Sequence, residues 1–168
     1  MTSLDILLKT GNITHLSDEK KEELAHTKNT QYVSYIDKME PGEILPGALE
    51  FLQEAKNSGH KTALGSASKN AERIINRLKI KPYFDAIIDG TKVTKAKPDP
   101  EVFLKGAEEM GLKPEECIVF EDARAGIEAA KNGGFKAVGI GQADILNQAD
   151  IVFPGLAGLK PKAIIQQL

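Results

Sequence analysis

Residues 117–134 read CIVFEDARAGIEAAKNGG. Cys117–Phe120 is a short apolar run of the kind that forms a buried strand, and the acidic pair Glu121-Asp122 stands at its end. Ala123 to Asn132 carries apolar residues at helical spacing and is closed by Gly133-Gly134. A second apolar run, Lys136–Ile140, follows and stops at Gly141. The same alternation extends upstream. Pro100 to Met110 reads as a helix with Pro near its start and Gly111 just past its end. Lys61–Gly65 (KTALG) reads as a strand ending at Ser66-Ala67-Ser68, followed by a helix over Asn70–Leu78 and a strand over Asp85–Ile88. A helix from Gly47 to Ser58, stopped by Gly59, precedes them. A strand over Asp150–Phe153 and a helix from Lys160 close the chain. Short apolar runs alternating with amphipathic helices require an α/β fold: a Rossmann-like, mostly parallel sheet covered by helices.

The first 40 residues break this rhythm. Leu4, Leu7 and Leu8 lie at helical spacing before Gly11-Asn12, and Ser17 is placed to cap a second helix that runs to Pro41-Gly42. The Lys20-Lys21-Glu22-Glu23 run reads as a solvated helix face. The chain of 168 residues has 22 basic and 24 acidic side chains, a net charge of −2, which argues against a general nucleic-acid binder. No apolar run approaches the roughly 20 residues of a membrane helix. Met1-Thr2-Ser3-Leu4-Asp5 has neither a basic region nor an apolar signal core. One cysteine, Cys117, excludes an internal disulfide framework and reads as a small core residue; His15, His26 and His60 show no metal-ligand spacing. The expectation is a soluble, cytoplasmic protein.

In an open α/β sheet, ligands collect at the carboxyl ends of the strands. Ser66 follows one strand and precedes a helix, whose free N–H groups suit an anion. Lys97 lies in the long polar loop GTKVTKAKPDP, residues 90–100, and could neutralise a phosphoryl group. Glu121 and Asp122 are adjacent carboxylates at a strand end, suited to Mg²⁺. Singly, each has a plainer reading: Ser66 as a helix cap, Lys97 as a solvated loop lysine, the acidic pair as the start of a helix. Their order, each at the end of a βα unit, favours a joint phosphate and magnesium site.

On Leu64-Gly65-Ser66-Ala67-Ser68-Lys69-Asn70, Lys97-Pro98-Asp99-Pro100-Glu101-Val102-Phe103 and Phe120-Glu121-Asp122-Ala123-Arg124-Ala125-Gly126-Ile127, with Tyr83-Phe84-Asp85-Ala86 between them, the chain resembles the haloacid dehalogenase-like superfamily and, within it, the β-phosphoglucomutase branch. The resemblance implies that Ser66, the Ala67 backbone and Lys97 hold the transferring phosphate. It implies that Glu121 and Asp122 hold Mg²⁺, and that Ser68, Lys69 and Asn70 grip the distal phosphate of a hexose phosphate. Lys28 matches a lysine of the helical cap that faces the sugar. Residues 1–40 would then be a partial cap, which closes over the site and excludes water, and 41–168 the core. The implied activity is Mg²⁺-dependent interconversion of β-glucose 1-phosphate and glucose 6-phosphate. A sugar-phosphate phosphatase is the close alternative, and a non-catalytic phosphate-binding module or complementing fragment the distant one. A receiver-type phosphoacceptor domain is excluded, because its acidic cluster ends the first strand and here the acidic pair comes late.

The family begins with an apolar strand ending in Asp-x-Asp, the nucleophile and the acid–base, and these 168 residues hold no such strand. Ala86-Ile87-Ile88-Asp89-Gly90-Thr91 imitates it, but Thr91 stands where the second aspartate should be, so Asp89 reads as a turn residue. The resemblance puts the missing strand between KTALG and CIVF. The expectation is therefore an N-terminally truncated chain with two half-sheets, inactive alone. Each backbone group left buried and unpaired costs roughly 1–3 kcal/mol. Such a chain would be a marginal monomer that self-associates or takes up the missing segment in trans.

Overall fold

The computed structural model describes residues 3–13 and 15–168. The reading of Met1-Thr2 lies outside the described residues. The chain divides into two compact units, one up to Met39 and one from Glu40 to Leu168.

The first unit is a pair of helices, α1 (Ser3–Thr10) and α2 (Asp18–Ile36). The Ser17 hydroxyl accepts the Lys20 N–H at 3.3 Å, as its position before Asp18 and Glu19 demands. Lys20 pairs with Glu23 and Lys21 with Asp18 along an exposed face, so the charge run is a solvated one. Helix α2 ends at Ile36, earlier than the pattern suggested, and Pro41–Glu43 forms a separate 3₁₀ turn.

The second unit runs α3 (Ala48–Asn57), β1 (Ala63–Gly65), α4 (Ala71–Arg77), β2 (Ala86–Ile88), α5 (Glu101–Met110), β3 (Ile118–Glu121), α6 (Arg124–Asn132), β4 (Lys136–Ile140), β5 (Ile151–Phe153) and α7 (Pro161–Ile165). All strand pairs are parallel. They form not one sheet but two: β1-β2, in register Ala63↔Ala86 to Gly65↔Ile88, and β3-β4-β5, in register Ile118↔Lys136 and Val138↔Ile151. Among the described residues β1 pairs only with β2 and β3 only with β4, so each has one edge without a strand partner.

The pleat sorts β3 onto two faces. Val119 joins Ala107, Ile127, Ala130, Phe135, Ala137 and Leu146 in one core cluster, with Cys117 packed at its margin. Ile118 and Phe120 turn to the other cluster, around Phe51, Val138 and Ile164. Phe51 meets Phe120 edge-to-face, with ring centroids 5.1 Å apart. Helix α5 packs on β1 and β2, while its Ala107 and Phe103 enter the cluster that holds Val119 of β3, so one helix serves both sheets. Burial raises the Cys117 thiol pKa, with Glu116 and Glu115 adding to it. At the start of β5 the Asp150 carboxylate accepts Lys131 Nζ at 2.8 Å and the Ala137 N–H at 2.7 Å. Burial works against its ionisation, but these bonds prevail and its pKa is lowered.

No helix among the described residues is long and apolar enough to cross a membrane.

Candidate functional site

The loop after β1 differs from the reading of Ser66 as a residue at a helix start. Helix α4 begins only at Ala71, with Asn70 before it, so Ser66 is no cap. The Ser66 N–H donates to Ile88 O at 2.8 Å, across the β1-β2 pair. Its hydroxyl accepts the Ser68 N–H, and the Ser68 hydroxyl accepts the Asn70 N–H, both at 3.1 Å. The serines thus fold the loop on itself. Among the described residues the N–H groups of Ala67 and Lys69 have no acceptor, leaving donors for an anion. Ala67 and Lys69 are exposed.

A neighbouring turn braces this loop. Asp89, at the carboxyl end of β2, is 9% exposed and accepts the Thr91 N–H at 2.9 Å and the Thr91 hydroxyl at 2.6 Å. The Thr91 hydroxyl bond is the leading cause that lowers the Asp89 pKa. Asp89 is a turn residue, as its sequence suggests. The Gly90 N–H donates to Ser68 O at 3.2 Å, and a Cβ at 90 would stand 2.3 Å from Ala67 O. The two loops touch backbone to backbone.

Lys97 is not a solvated loop lysine. Its Nζ pairs with Glu121 Oε1, the two side chains being 20% and 9% exposed, and lies 4.6 Å from the centroid of the Phe103 ring. The same ring closes on the end of β1, since a Cβ at Gly65 would sit 3.2 Å from it. Phe103 thus links the end of β1 to Lys97, and Lys97 links to the end of β3. Glu121 is the last residue of β3 rather than the residue after it. Its carboxylate is seated against α6, where a Cβ at Gly126 would fall 2.2 Å from Glu121 Cδ. Asp122 is exposed, and the residue before α6 is Ala123, so the acidic pair does not cap that helix.

The loop that carries Lys97 is held by one carboxylate. Glu101 accepts the N–H groups of Thr94 (2.9 Å) and Lys95 (2.7 Å), the Thr94 hydroxyl (3.1 Å) and Lys105 Nζ (3.0 Å). The Asn132 side chain adds a bond to Pro98 O at 3.1 Å, and the Lys97–Pro98 peptide is cis. The Lys105 bond, followed by the Lys95 N–H, holds the Glu101 pKa at about 2, from an ordinary 4.5. A carboxylate depressed in the folded state stabilises it above its ordinary pKa, and the contribution fades as pH falls from 4.5 towards 2. Glu101→Gln is therefore expected to melt below the unsubstituted chain at pH 6, with the gap narrowing below pH 4.5. Thermal unfolding across that range checks it; a gap that ignores pH would refute the assignment.

The site residues fall into three groups. Lys97 and Glu121 are in contact, and the Ser66–Asn70 loop is joined to them through Gly65 and Phe103. Lys28 lies on α2, in the other unit. Sequence reading passed over Glu101, Phe103 and Gly126 as site residues, although all three stand inside the quoted motifs. Their spacing in the chain carries no sign of what they touch across it. Glu121 and Asp122 supply hard oxygen donors of the type Mg²⁺ accepts. Among the described residues no third His, Cys, Asp or Glu joins them. Mg²⁺ commonly takes one or two carboxylates and fills its shell with waters and phosphate oxygens, so the pair fits it.

The family model of the haloacid dehalogenase-like hydrolases matches residues 3–134. The chain belongs to that family. It is 42% identical over 147 residues to a β-phosphoglucomutase of Bacillus subtilis, covering 88% of this chain and 65% of that protein. It is 34% identical over 127 residues to a phosphorylated carbohydrates phosphatase of Thermotoga maritima, covering 73% of this chain and 58% of that one. Among solved structures, a β-phosphoglucomutase from Clostridium difficile superposes with a TM-score of 0.91 at 39% identity, over 98% of this chain and 74% of its own. The chain thus spans less than two thirds of the length of these two curated relatives. The α/β fold with parallel strands flanked by helices is that of the family, within which the chain is β-phosphoglucomutase-like.

Proposed function

We propose that the chain forms most of a Mg²⁺-dependent phosphotransferase that converts β-glucose 1-phosphate to glucose 6-phosphate. The nucleophile and acid–base carboxylates would come from a segment outside these 168 residues, so the chain alone does not turn over. The contact of Lys97 with Glu121, set against the Ser66 loop by Phe103, carries the reading: it gathers a cation, carboxylates and free N–H donors at the carboxyl ends of the strands. Ser66, the Ala67 N–H and Lys97 would hold the transferring phosphate, and Ser68, Lys69 and Asn70 the distal one. Lys28 would face the sugar from a helical cap of residues 1–40 over a core of 41–168. Mg²⁺ held by Glu121 and Asp122 would supply charge neutralisation of the phosphoryl group. A charged sugar phosphate and the lone free Cys117 accord with a cytoplasmic location.

A phosphatase of the same family is the second reading, favoured by the Thermotoga relative. A complementing fragment is favoured by the two sheets, each with a strand edge, at β1 or β3, that is unpartnered among the described residues. Such edges accept a further strand, in trans or from a second copy. The test assays β-glucose 1-phosphate with Mg²⁺, using the chain alone and the chain joined at its N-terminus to an apolar strand ending in Asp-x-Asp. Isomerisation only in the joined form is the expected result. Release of inorganic phosphate without isomerisation would select the phosphatase. Saturable sugar-phosphate binding without turnover in both would select the binding module, and neither binding nor turnover in the joined form would sink the proposal. Size-exclusion of the chain alone reports self-association.

A further inference from the structure

The Lys97–Glu121 contact uses, on each side, the group that a different ligand would need. A phosphate would draw on the Lys97 ammonium, and a divalent cation on the Glu121 carboxylate. We propose that this ion pair couples the two: a cation taking Glu121 releases Lys97 for the anion, and in its absence the lysine occupies the carboxylate. The inference rests on the reading of the site given above and deepens it.

Four observations carry it. Both side chains are largely shielded, 20% and 9% exposed, so the pair is less screened than a surface pair and the two charges hold each other. Among the described residues the other neighbour of the Lys97 ammonium is the Phe103 ring, which attracts a cation but offers no carboxylate in exchange. Gly126 of α6 leaves open the space that the Glu121 carboxylate fills, a Cβ there falling 2.2 Å from its Cδ, so the carboxylate lies beside the lysine only while that space is free. Asp122 beside it is exposed and makes no hydrogen bond or ion pair among the described residues. A cation therefore meets one open carboxylate and one already neutralised. Displacing Lys97 is a fixed cost on cation binding, and by linkage a bound cation repays it to the anion.

Isothermal titration calorimetry of MgCl₂ in phosphate-free buffer tests this on the full chain and three variants. Lys97→Met deletes the competing charge, and Lys97→Gln deletes it while keeping a donor for Glu121, which protects the fold. Lys95→Met removes a nearby exposed charge that pairs with Asp99 instead. Mg²⁺ affinity is expected to rise about tenfold in both Lys97 variants, the scale of one charge-assisted bond. In Lys95→Met it should change less than about twofold, as for an exposed pair. Unaltered affinity in the Lys97 variants, or an equal gain in Lys95→Met, would overturn the coupling while the metal site stands. No Mg²⁺ binding in any of the four would remove the metal site itself, and the coupling with it.

Discussion

Gly47→Ala lowers the stability of the Glu40–Leu168 unit by about 2–5 kcal/mol, the sum of a left-handed alanine and a forced core contact. Leu45-Pro46-Gly47-Ala48 forms a type II turn, in which Leu45 O accepts the Ala48 N–H at 3.0 Å. Pro46 takes the second position, where its fixed φ is suited, and Gly47 the third, with φ +81° and ψ −11°. Any side chain there is strained. Space is also lacking, because a Cβ would stand 2.4 Å from Ala157 Cα and N and 2.5 Å from Leu156 C. Those are backbone atoms leading into α7, whose Ile164 is 1% exposed in the cluster that holds Phe51 of α3. Relief therefore requires α3 and α7 to part. Against a typical total of about 5–15 kcal/mol, the loss is large. Urea unfolding should show a lower midpoint at constant slope. Gly42→Ala, where nothing lies within 4 Å, serves as the neutral control. A loss below about 1 kcal/mol, smaller than the left-handed strain alone, would refute the packing argument.

Gly126→Ala is expected to weaken the site and spare the fold. The atoms that a Cβ would strike are Glu121 Cδ at 2.2 Å and its oxygens at 2.3 and 2.6 Å. They form the end of a flexible side chain, so the carboxylate swings aside before the backbone yields. Alanine also gains up to about 1 kcal/mol over glycine within a helix, which offsets the crowding. The displaced carboxylate leaves Lys97 and its place beside Asp122. Calorimetry should show Mg²⁺ binding weakened at least about tenfold, the scale of one lost charged contact. The melting temperature should hold within a few degrees. Unchanged binding would mean that Gly126 is no spacer; a collapse of stability would mean that Glu121 is structural.

Both predictions turn on contacts that no local pattern records, and the same division runs through the whole molecule. The helix over 101–110 was legible because Pro100 and Gly111 bracket an amphipathic run, and Gly111 indeed takes φ +67° at its end. The parallel pairing of the strands followed from alternation. Strand lengths did not: KTALG shrinks to Ala63–Gly65 and Asp85–Ile88 to Ala86–Ile88, because pairing with a neighbour rather than apolar character sets where a strand stops. CIVF slides by one residue and takes Glu121 into β3, through its pairing with Gly139. Ser66, Lys97 and the acidic pair were visible as candidates because polar groups at strand ends stand out against apolar runs. Taken singly, they divided between ligand and plainer roles; the fold shows that Ser66 and the acidic pair cap no helix and that Lys97 is paired with Glu121.

From its order of residues alone, this chain committed to parallel βα units and to a polar rim at their carboxyl ends, since backbone preference and hydrophobic period act within a few neighbours. Tertiary structure decided that Lys97 meets Glu121 over Phe103 and that Gly126 makes room for a carboxylate. Those outcomes depend on which distant surfaces share a volume, and volume is filled by the whole chain at once.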